Sequence, residues 1–147
     1  MTPIMAYKYQ EQIDKLAECG VEMPEVEPVQ EGEYYRYAFW DSPEKNHIPQ
    51  YISKPKRMLS DIDSKSARMT LLALSCFKDA DKAVDYYAEL RKNYKQFEKT
   101  AGDSLFGGII SSNDGDVTPA NEKTHFNLFE STQCDLNRTF TFKLQLI

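Results

Sequence analysis

Near the end of the chain, within residues 139–147, apolar and polar side chains alternate. The alternating apolar positions are Phe140, Phe142, Leu144 and Leu146, and Ile147 follows them. Successive side chains of a β-strand point to opposite faces of the sheet, so this period of two predicts a strand with one buried face. An antiparallel sheet that is covered on one side accommodates such a strand, and an all-helical fold does not.

Four further segments have the composition of strands. Strong strand formers fill residues 34–40, and the turn sequence Asp41-Ser42-Pro43 follows them. The other predicted strands are residues 72–77, 105–110 and 124–130. Together with the C-terminal segment these make a sheet of about five strands.

Helical periodicity is clearest in residues 80–94, where apolar side chains share one face and Asp79 precedes them as an N-cap. Residues 4–19 predict an N-terminal helix that ends before Gly20, a common C-cap residue. A short third helix is predicted near residues 58–66.

Two segments predict irregular structure. Residues 22–33 contain five Glu, two Pro and no basic residue, which disfavours a regular helix or a central strand. We therefore expect an extended acidic linker there. Residues 42–57 contain three prolines and predict a long loop, which with Lys54, Lys56 and Arg57 also carries a basic cluster.

This order of elements predicts the α+β class, as a mainly antiparallel sheet with two or three helices packed against it. The chain has 147 residues, of which 41% are hydrophobic, and this is enough for one ordinary core. We therefore expect a single domain over residues 1–147.

Charge and composition exclude several classes of function. The net charge of -5 gives no general attraction for a phosphate backbone, so we expect no nucleic-acid partner. The apolar runs are too short to cross a membrane, and the N-terminus has no signal-peptide pattern, so a cytoplasmic location is expected.

The sequence also predicts no metal site. Cys19, Cys76 and Cys134 lie far apart and cannot form a zinc ribbon or a disulfide framework. Residues 113–116 resemble part of a calcium loop, but Ile110 would fall at its first ligand position, so a hairpin turn is the better interpretation.

The residues of most chemical interest are Arg36 and His125. Arg36 is the one charge in an aromatic strand, with Tyr35 and Tyr37 projecting to the opposite side, and His125 shares a strand face with Asn127. We expect Arg36 and His125 to lie on the same side of the sheet and to border its most polar concavity. Arg36 on a solvated edge strand, or His125 as an ordinary packed histidine, remains the alternative.

Two parts of the chain resemble ADP-ribosyltransferase-like domains. They are Tyr34-Tyr35-Arg36 on the first predicted strand and residues 74–83, a strand with Ser75 that leads into the capped helix. Those domains often begin with an Arg- or His-bearing strand and continue with a Ser-containing strand end and a helix. Residues 97–130 are also similar to small uncharacterised bacterial α+β proteins.

The resemblance to the transferases implies NAD as cofactor. It implies that Arg36 contacts the dinucleotide, that Ser75 supports its ribose and that Glu130 stabilises an oxocarbenium-like transition state, with His125 completing the set. The chain departs from the family pattern at this acid, because no Glu-x-Glu or Gln-x-Glu pair ends at Glu130.

No complete catalytic set is otherwise present, so the first hypothesis is a non-catalytic bacterial domain that binds another protein. Aromatic and Arg side chains commonly anchor such interfaces. The predicted binding residues are Tyr35, Arg36, Tyr37, Trp40, His125 and Asn127. The alternative is a small nucleotide-using transferase; the partner and the oligomeric state stay open.

Overall fold

The computed structural model describes residues 6–53 and 65–147, and its strands form one antiparallel sheet. The strands are β1 (Glu27–Pro28), β2 (Gly32–Ala38), β3 (Leu74–Phe77), β4 (Ser104–Ile110), β5 (Gly115–Val117), β6 (His125–Glu130) and β7 (Thr141–Gln145). Their order across the sheet is β1-β5-β6-β3-β2-β4-β7, and all neighbours run antiparallel. The α+β class is therefore confirmed.

The sheet has seven strands, so the prediction of about five was too low. The two strands that were missed are β1 and β5, which are only two and three residues long. A segment of that length shows no alternation, and it becomes a strand only because a partner lies beside it.

The described residues form six α-helices, which is more than the two or three predicted. They are α1 (Gln10–Glu18), α2 (Gln50–Ser53), α3 (Lys65–Thr70), α4 (Ala80–Asn93), α5 (Phe97–Ala101) and α6 (Leu136–Thr139). Four of them have six residues or fewer, which is too short for a helical period to be visible. The predicted helix over residues 58–66 lies almost entirely outside the described residues. None of the helices that are described is long and apolar enough to span a membrane.

The most regular helix is the one that the sequence predicted best. In α4 the Asp79 side chain accepts a hydrogen bond from the Lys82 backbone N–H at 3.0 Å, as expected of an N-cap. The N-terminal helix is shorter than the predicted 4–19, because residues 6–8 pair with the end of β6. Lys8 N–H donates to the Glu130 carbonyl, and α1 begins only at Gln10.

Apolar clusters cover the sheet on both sides. On the side that we call the α4 face, strand side chains pack against Ala83 of α4: Tyr35, Tyr37, Phe77 and Leu105. On the other side, called the α6 face, the cluster contains Cys76, Phe126, Ile110, Leu136 and Phe140. A third cluster joins α1 to the end of β6 through Leu16 and Phe129.

The acidic segment 22–33 is extended, yet it is attached to the sheet. Glu27 and Pro28 pair with β5, and the Val29 N–H donates to the Gly115 carbonyl at 3.1 Å. Val21 and Val29 are buried. The segment therefore forms one edge of the sheet, where a proline is tolerated because no further strand needs its N–H.

The C-terminal segment is a strand, but its apolar side chains do not share one face. Leu144 pairs with Leu105 and Phe142 pairs with Phe106, so the register shifts between adjacent residues of β4. This bulge adds one residue to β7 and reverses the alternation that follows it. Phe142 consequently lies on the α6 face and Leu146 in the cluster of the α4 face, and the prediction of one apolar face was wrong.

Candidate functional site

The strands β2 and β3 separate from each other soon after they pair. β2 pairs with β4 along its full length from Gly32 to Ala38, but with β3 it pairs only where Tyr35 lies opposite Phe77. Beyond that pair the sheet splits, and a cleft of about 370 Å³ opens between the strands. We call it the split-sheet cleft.

The split-sheet cleft has three walls. One is β2 with residues 45–50, the second is β3 with β6, and the third is α4 with α5. Small-molecule pockets commonly have volumes of about 300–1,000 Å³. The cleft lies at the lower end of that range, so it fits a small ligand or a single group of a larger one.

Arg36 reaches across the split from β2 to β3. Its Nη1 donates to the Ser75 carbonyl oxygen at 2.6 Å, and its Nε donates to Nδ1 of His47 at 3.0 Å. Both acceptors are neutral, and within the described part of the chain the guanidinium forms no ion pair. Two hydrogen bonds therefore orient the cation while its charge stays without a direct counter-ion.

His47 is buried beside Arg36 and is uncharged. Burial, helped by the nearby charge of Arg36 and by Lys8, lowers the pKa of His47 to about 3. Because Nδ1 accepts from Arg36, the ring proton resides on Nε2. The ring also packs edge-on against Phe106 and Phe140, so His47 is a fixed acceptor.

Asn46 fastens the loop that carries His47. Its Nδ2 donates to the Phe39 carbonyl at 2.9 Å, and its Oδ1 accepts from the Phe39 N–H at 2.7 Å. The side-chain amide thus replaces the strand that would otherwise pair with this end of β2. His47 follows with a φ of 61°, a left-handed conformation that is uncommon for residues other than glycine.

The second wall presents three polar side chains on the α4 face. Ser75 and Asn127 lie opposite each other in the pairing of β3 with β6, and His125 is two residues away on β6. Within the described residues, none of these three side chains has a hydrogen-bond partner. Burial and the charge of Arg36 lower the pKa of His125, so its ring is also neutral near pH 7.

The third wall is aromatic, and Tyr37 of β2 packs against it. Tyr37 donates its hydroxyl hydrogen to the Ala83 carbonyl at 2.6 Å, and its ring lies 6.2 Å from that of Phe97. Burial raises the pKa of Tyr37 well above its usual range, so the phenol stays protonated. Tyr86 and Leu90 of α4 complete this wall.

The lining of the cleft contrasts with the charge of the whole chain. The net charge is -5, with 23 acidic residues, yet no Asp or Glu is among the described residues that line the cleft. The cationic side chains among those same residues are Arg36 and Lys45. The charged side chains of the described lining are therefore all cationic, although the net charge of the chain is negative.

The expectation that Arg36 and His125 lie on the same side of the sheet was wrong. Phe77 lies opposite both Tyr35 and His125, so these three side chains share the α4 face. Arg36, one residue after Tyr35, projects to the α6 face. The two residues nevertheless both line the split-sheet cleft, because the sheet is open between them.

The other candidate residues are distributed around the site. Tyr37 and Asn127 line the cleft, whereas Tyr35 lies outside it with its hydroxyl on Glu33. Trp40 is also outside, 62% exposed, with its ring 4.6 Å from that of Phe142.

Glu130 is not among the described residues that line the cleft, although its charge interacts with that of Arg36. Its Oε2 is bonded to Lys8 Nζ at 2.5 Å, and its carboxyl group is almost fully buried. Burial raises the pKa of Glu130 even with the cation beside it. The four residues implied by the transferase resemblance therefore do not converge, because Arg36, Ser75 and His125 line the cleft and Glu130 does not.

Cys76 and Cys134 are buried thiols. Burial raises the pKa of Cys76 to about 11, so it is not a thiolate near neutral pH. Among the residues that the structure describes, no group of three or more His, Cys, Asp and Glu side chains could hold a metal ion. The basic residues Lys54, Lys56 and Arg57 lie outside the described residues.

Several site residues were missed by sequence reasoning. Asn46 and the role of His47 depend on a loop conformation that has no periodicity, and Tyr86 and Phe97 were not singled out from the sequence. An Asn-His pair between two prolines, Pro43 and Pro49, was the available signal, since such a loop can be rigid without being regular.

Comparisons with known proteins identify no relative. No protein-family model matches the chain, and no curated protein or solved structure matches it either.

Proposed function

We propose that this chain is a non-catalytic binding domain that takes an anionic group into the split-sheet cleft. The observation that carries the proposal is Arg36, a half-buried cation that neutral acceptors orient and that forms no ion pair among the described residues. An Arg held in this way is prepared for an anion, because the ligand completes the charge pairing at little cost in side-chain ordering.

The electrostatics of the cleft support the same function. Lys45 adds a second positive charge, and its Nζ lies 5.8 Å from the centre of the Phe39 ring, at the side of the opening. His47 and His125 are neutral because their pKa values are lowered. They can therefore form hydrogen bonds without repelling the Arg36 guanidinium beside them. Asp and Glu are absent from the described lining, so an anion in the cleft would contact no carboxylate there.

A binding function fits this site better than catalysis. The groups that could act as acid, base or nucleophile are a buried neutral His47, a partly buried His125 and the Ser75 hydroxyl, and no hydrogen bond connects Ser75 to either His. A nucleophile needs an adjacent base that is itself oriented. Glu130, which a transferase would need at the cleft, is bonded to Lys8 instead.

The test is an NMR titration of the ¹⁵N-labelled protein with inorganic phosphate at constant ionic strength. We expect amide shift changes confined to residues around the cleft, including Arg36, His47 and Ser75. Arg36→Gln should abolish them, and Arg36→Lys should weaken binding by about 1.5–3 kcal/mol, because a lysine keeps the charge and loses the planar donor fork.

Arg138→Gln is the matched control, because Arg138 is exposed on α6 and does not line the cleft. This variant should bind phosphate as the wild type does. Shift changes spread over the surface, or equal binding by Arg36→Gln, would contradict the proposal.

A second candidate function, binding of a partner protein, is favoured by the exposed Trp40. It is 62% exposed and packs on Phe142, itself 39% exposed, and Trp is the residue type that most often dominates an interface. This function predicts that Trp40→Ala abolishes capture of a purified partner with little loss of thermal stability. A Trp40→Ala protein that still binds its partner fully would exclude this patch.

A further inference from the structure

The two ends of the split-sheet cleft differ in chemistry. Arg36 and His47 reach it from the α6 face, whereas Ser75, His125 and Asn127 reach it from the α4 face. The split connects the two because β2 and β3 do not pair beyond Tyr35 and Phe77. A ligand in the cleft therefore meets a cation at one end and uncharged polar groups at the other.

The α4-face end combines aromatic walls with unsatisfied hydrogen-bonding groups. Tyr37, Phe97 and Tyr86 surround it, and the Asn127 amide offers a donor and an acceptor side by side. Ser75 is exposed, and His125 and Asn127 are half-buried. None of the three side chains has a hydrogen-bond partner among the described residues, so their polar groups are available to a ligand.

Resting on the proposed function, we infer that the ligand is a small anion that carries a planar, hydrogen-bonding ring. The anionic group binds Arg36 at the split. The ring lies between the aromatic walls, with its polar edge toward Asn127. Flat rings pack against aromatic side chains favourably, and an amide recognises a heterocycle edge by a paired donor and acceptor.

The size of the cleft limits the ligand. A volume of about 370 Å³ suits one ring system and one anionic group, and leaves little room for a second ring system. Phosphate and carboxylate are both possible anionic groups, since a guanidinium binds either with two parallel hydrogen bonds. The experiment separates these two sources.

The experiment is isothermal titration calorimetry of the full chain with five kinds of probe. They are the common ribonucleoside 5′-monophosphates, 4-hydroxybenzoate as an aromatic carboxylate, adenosine as a neutral ring, inorganic phosphate and acetate. We expect at least one ringed anion to bind about tenfold or more tightly than either the isolated anion or the neutral ring. The ringed anion that binds identifies phosphate or carboxylate as the natural group.

Three variants test which end of the cleft binds which part of the ligand. Arg36→Lys should weaken every anion, with or without a ring. Asn127→Ala should weaken ringed anions by about tenfold and leave inorganic phosphate unchanged. Asn127→Asp, which is nearly isosteric, should weaken all anions because it adds a carboxylate to a described lining that has none. Thermal unfolding of each variant without ligand reports whether it has folded.

The outcomes separate this inference from the proposed function. Equal affinity for phosphate and for every ringed anion would overturn the ring site and leave anion binding standing. Affinity for adenosine equal to that for its monophosphate would overturn both. Binding of no probe would also overturn both, and an effect of Asn127→Ala on phosphate alone would contradict the assignment of the two ends.

Discussion

Arg36 shows how a single residue can be prepared for a ligand by neutral neighbours. A carboxylate partner would orient the guanidinium equally well, but it would also cancel the charge. The Ser75 carbonyl and the His47 ring orient it and leave the charge in place. The depressed pKa of His47 keeps this arrangement unchanged throughout the physiological range of pH.

The first prediction follows from the same pKa. An unfolded His takes up a proton below about pH 6.5, whereas folded His47, with a pKa of about 3, does not. The unfolded state then binds more protons, so His47 makes the protein lose stability as the pH falls from about 6.5 toward 3. By pH 4 the loss is about 3 kcal/mol.

Urea unfolding of the wild type and of His47→Gln between pH 7 and pH 4 measures this effect. The difference between the two free energies of unfolding should change in favour of the variant as the pH falls. His125→Gln serves as the comparison for the other histidine, whose pKa is also lowered. A wild-type curve parallel to that of His47→Gln would show that His47 titrates normally.

At the scale of elements, the C-terminal segment can approach β4 closely because residue 108 of β4 is a glycine. A Cβ at Gly108 would lie 2.0 Å from the Thr139 carbonyl oxygen, at the end of α6. Backbone at that distance must move, and the buried Phe140 ring would be displaced with it. The glycine is therefore required by packing between the C-terminal segment and the sheet.

We predict that Gly108→Ala lowers the free energy of unfolding by about 1–3 kcal/mol through this overpacking. Gly32→Ala is the matched control on the neighbouring strand β2, where the new Cβ would meet only Tyr34 at 3.6 Å. Chemical denaturation of both variants tests the difference. Equal stability of the two would mean that the C-terminal segment does not pack closely on Gly108.

How far the sequence predicts this fold depends on the length of each element. α4 was predictable because its fourteen residues show several helical turns and a cap. The bulge in β7 was not predictable, because an extra residue in one strand is fixed by its partner and leaves the alternation in the sequence intact. The same holds for the site, where aromatic flanks drew attention to Arg36 but a loop conformation brings His47 to it.

At the scale of the whole molecule, both edges of the sheet are protected. β1 is two residues long and ends in Pro28, which has no N–H to offer a further strand. β7 carries the bulge, and Lys143 at its middle bonds to Glu33 at 3.5 Å. Charged side chains and bulges on an edge oppose strand-to-strand association.

We therefore predict that Lys143→Val promotes self-association. The substitution removes the edge charge and places a valine between the exposed Phe142 and Leu144, which gives a continuous apolar edge. Sedimentation velocity over a range of concentrations should show larger species than the wild type forms. Lys15→Val, a change of the same charge on the exposed side of α1, should not have this effect.

β2 and β3 are joined by a single residue pair, Tyr35 with Phe77. The sheet therefore consists of two half-sheets that are connected only there. One half is β1-β5-β6-β3 and the other is β2-β4-β7. A bound ligand that bridges Arg36 to β3 would add contacts between the two half-sheets and make the boundary between β2 and β3 more rigid. Hydrogen exchange should then slow most at the Tyr37 and Ser75 amides when ligand binds, while amides in the fully paired β2–β4 ladder change little. The β2–β3 boundary, which has a single residue pair, would thus be the part of the sheet that the ligand stabilises most.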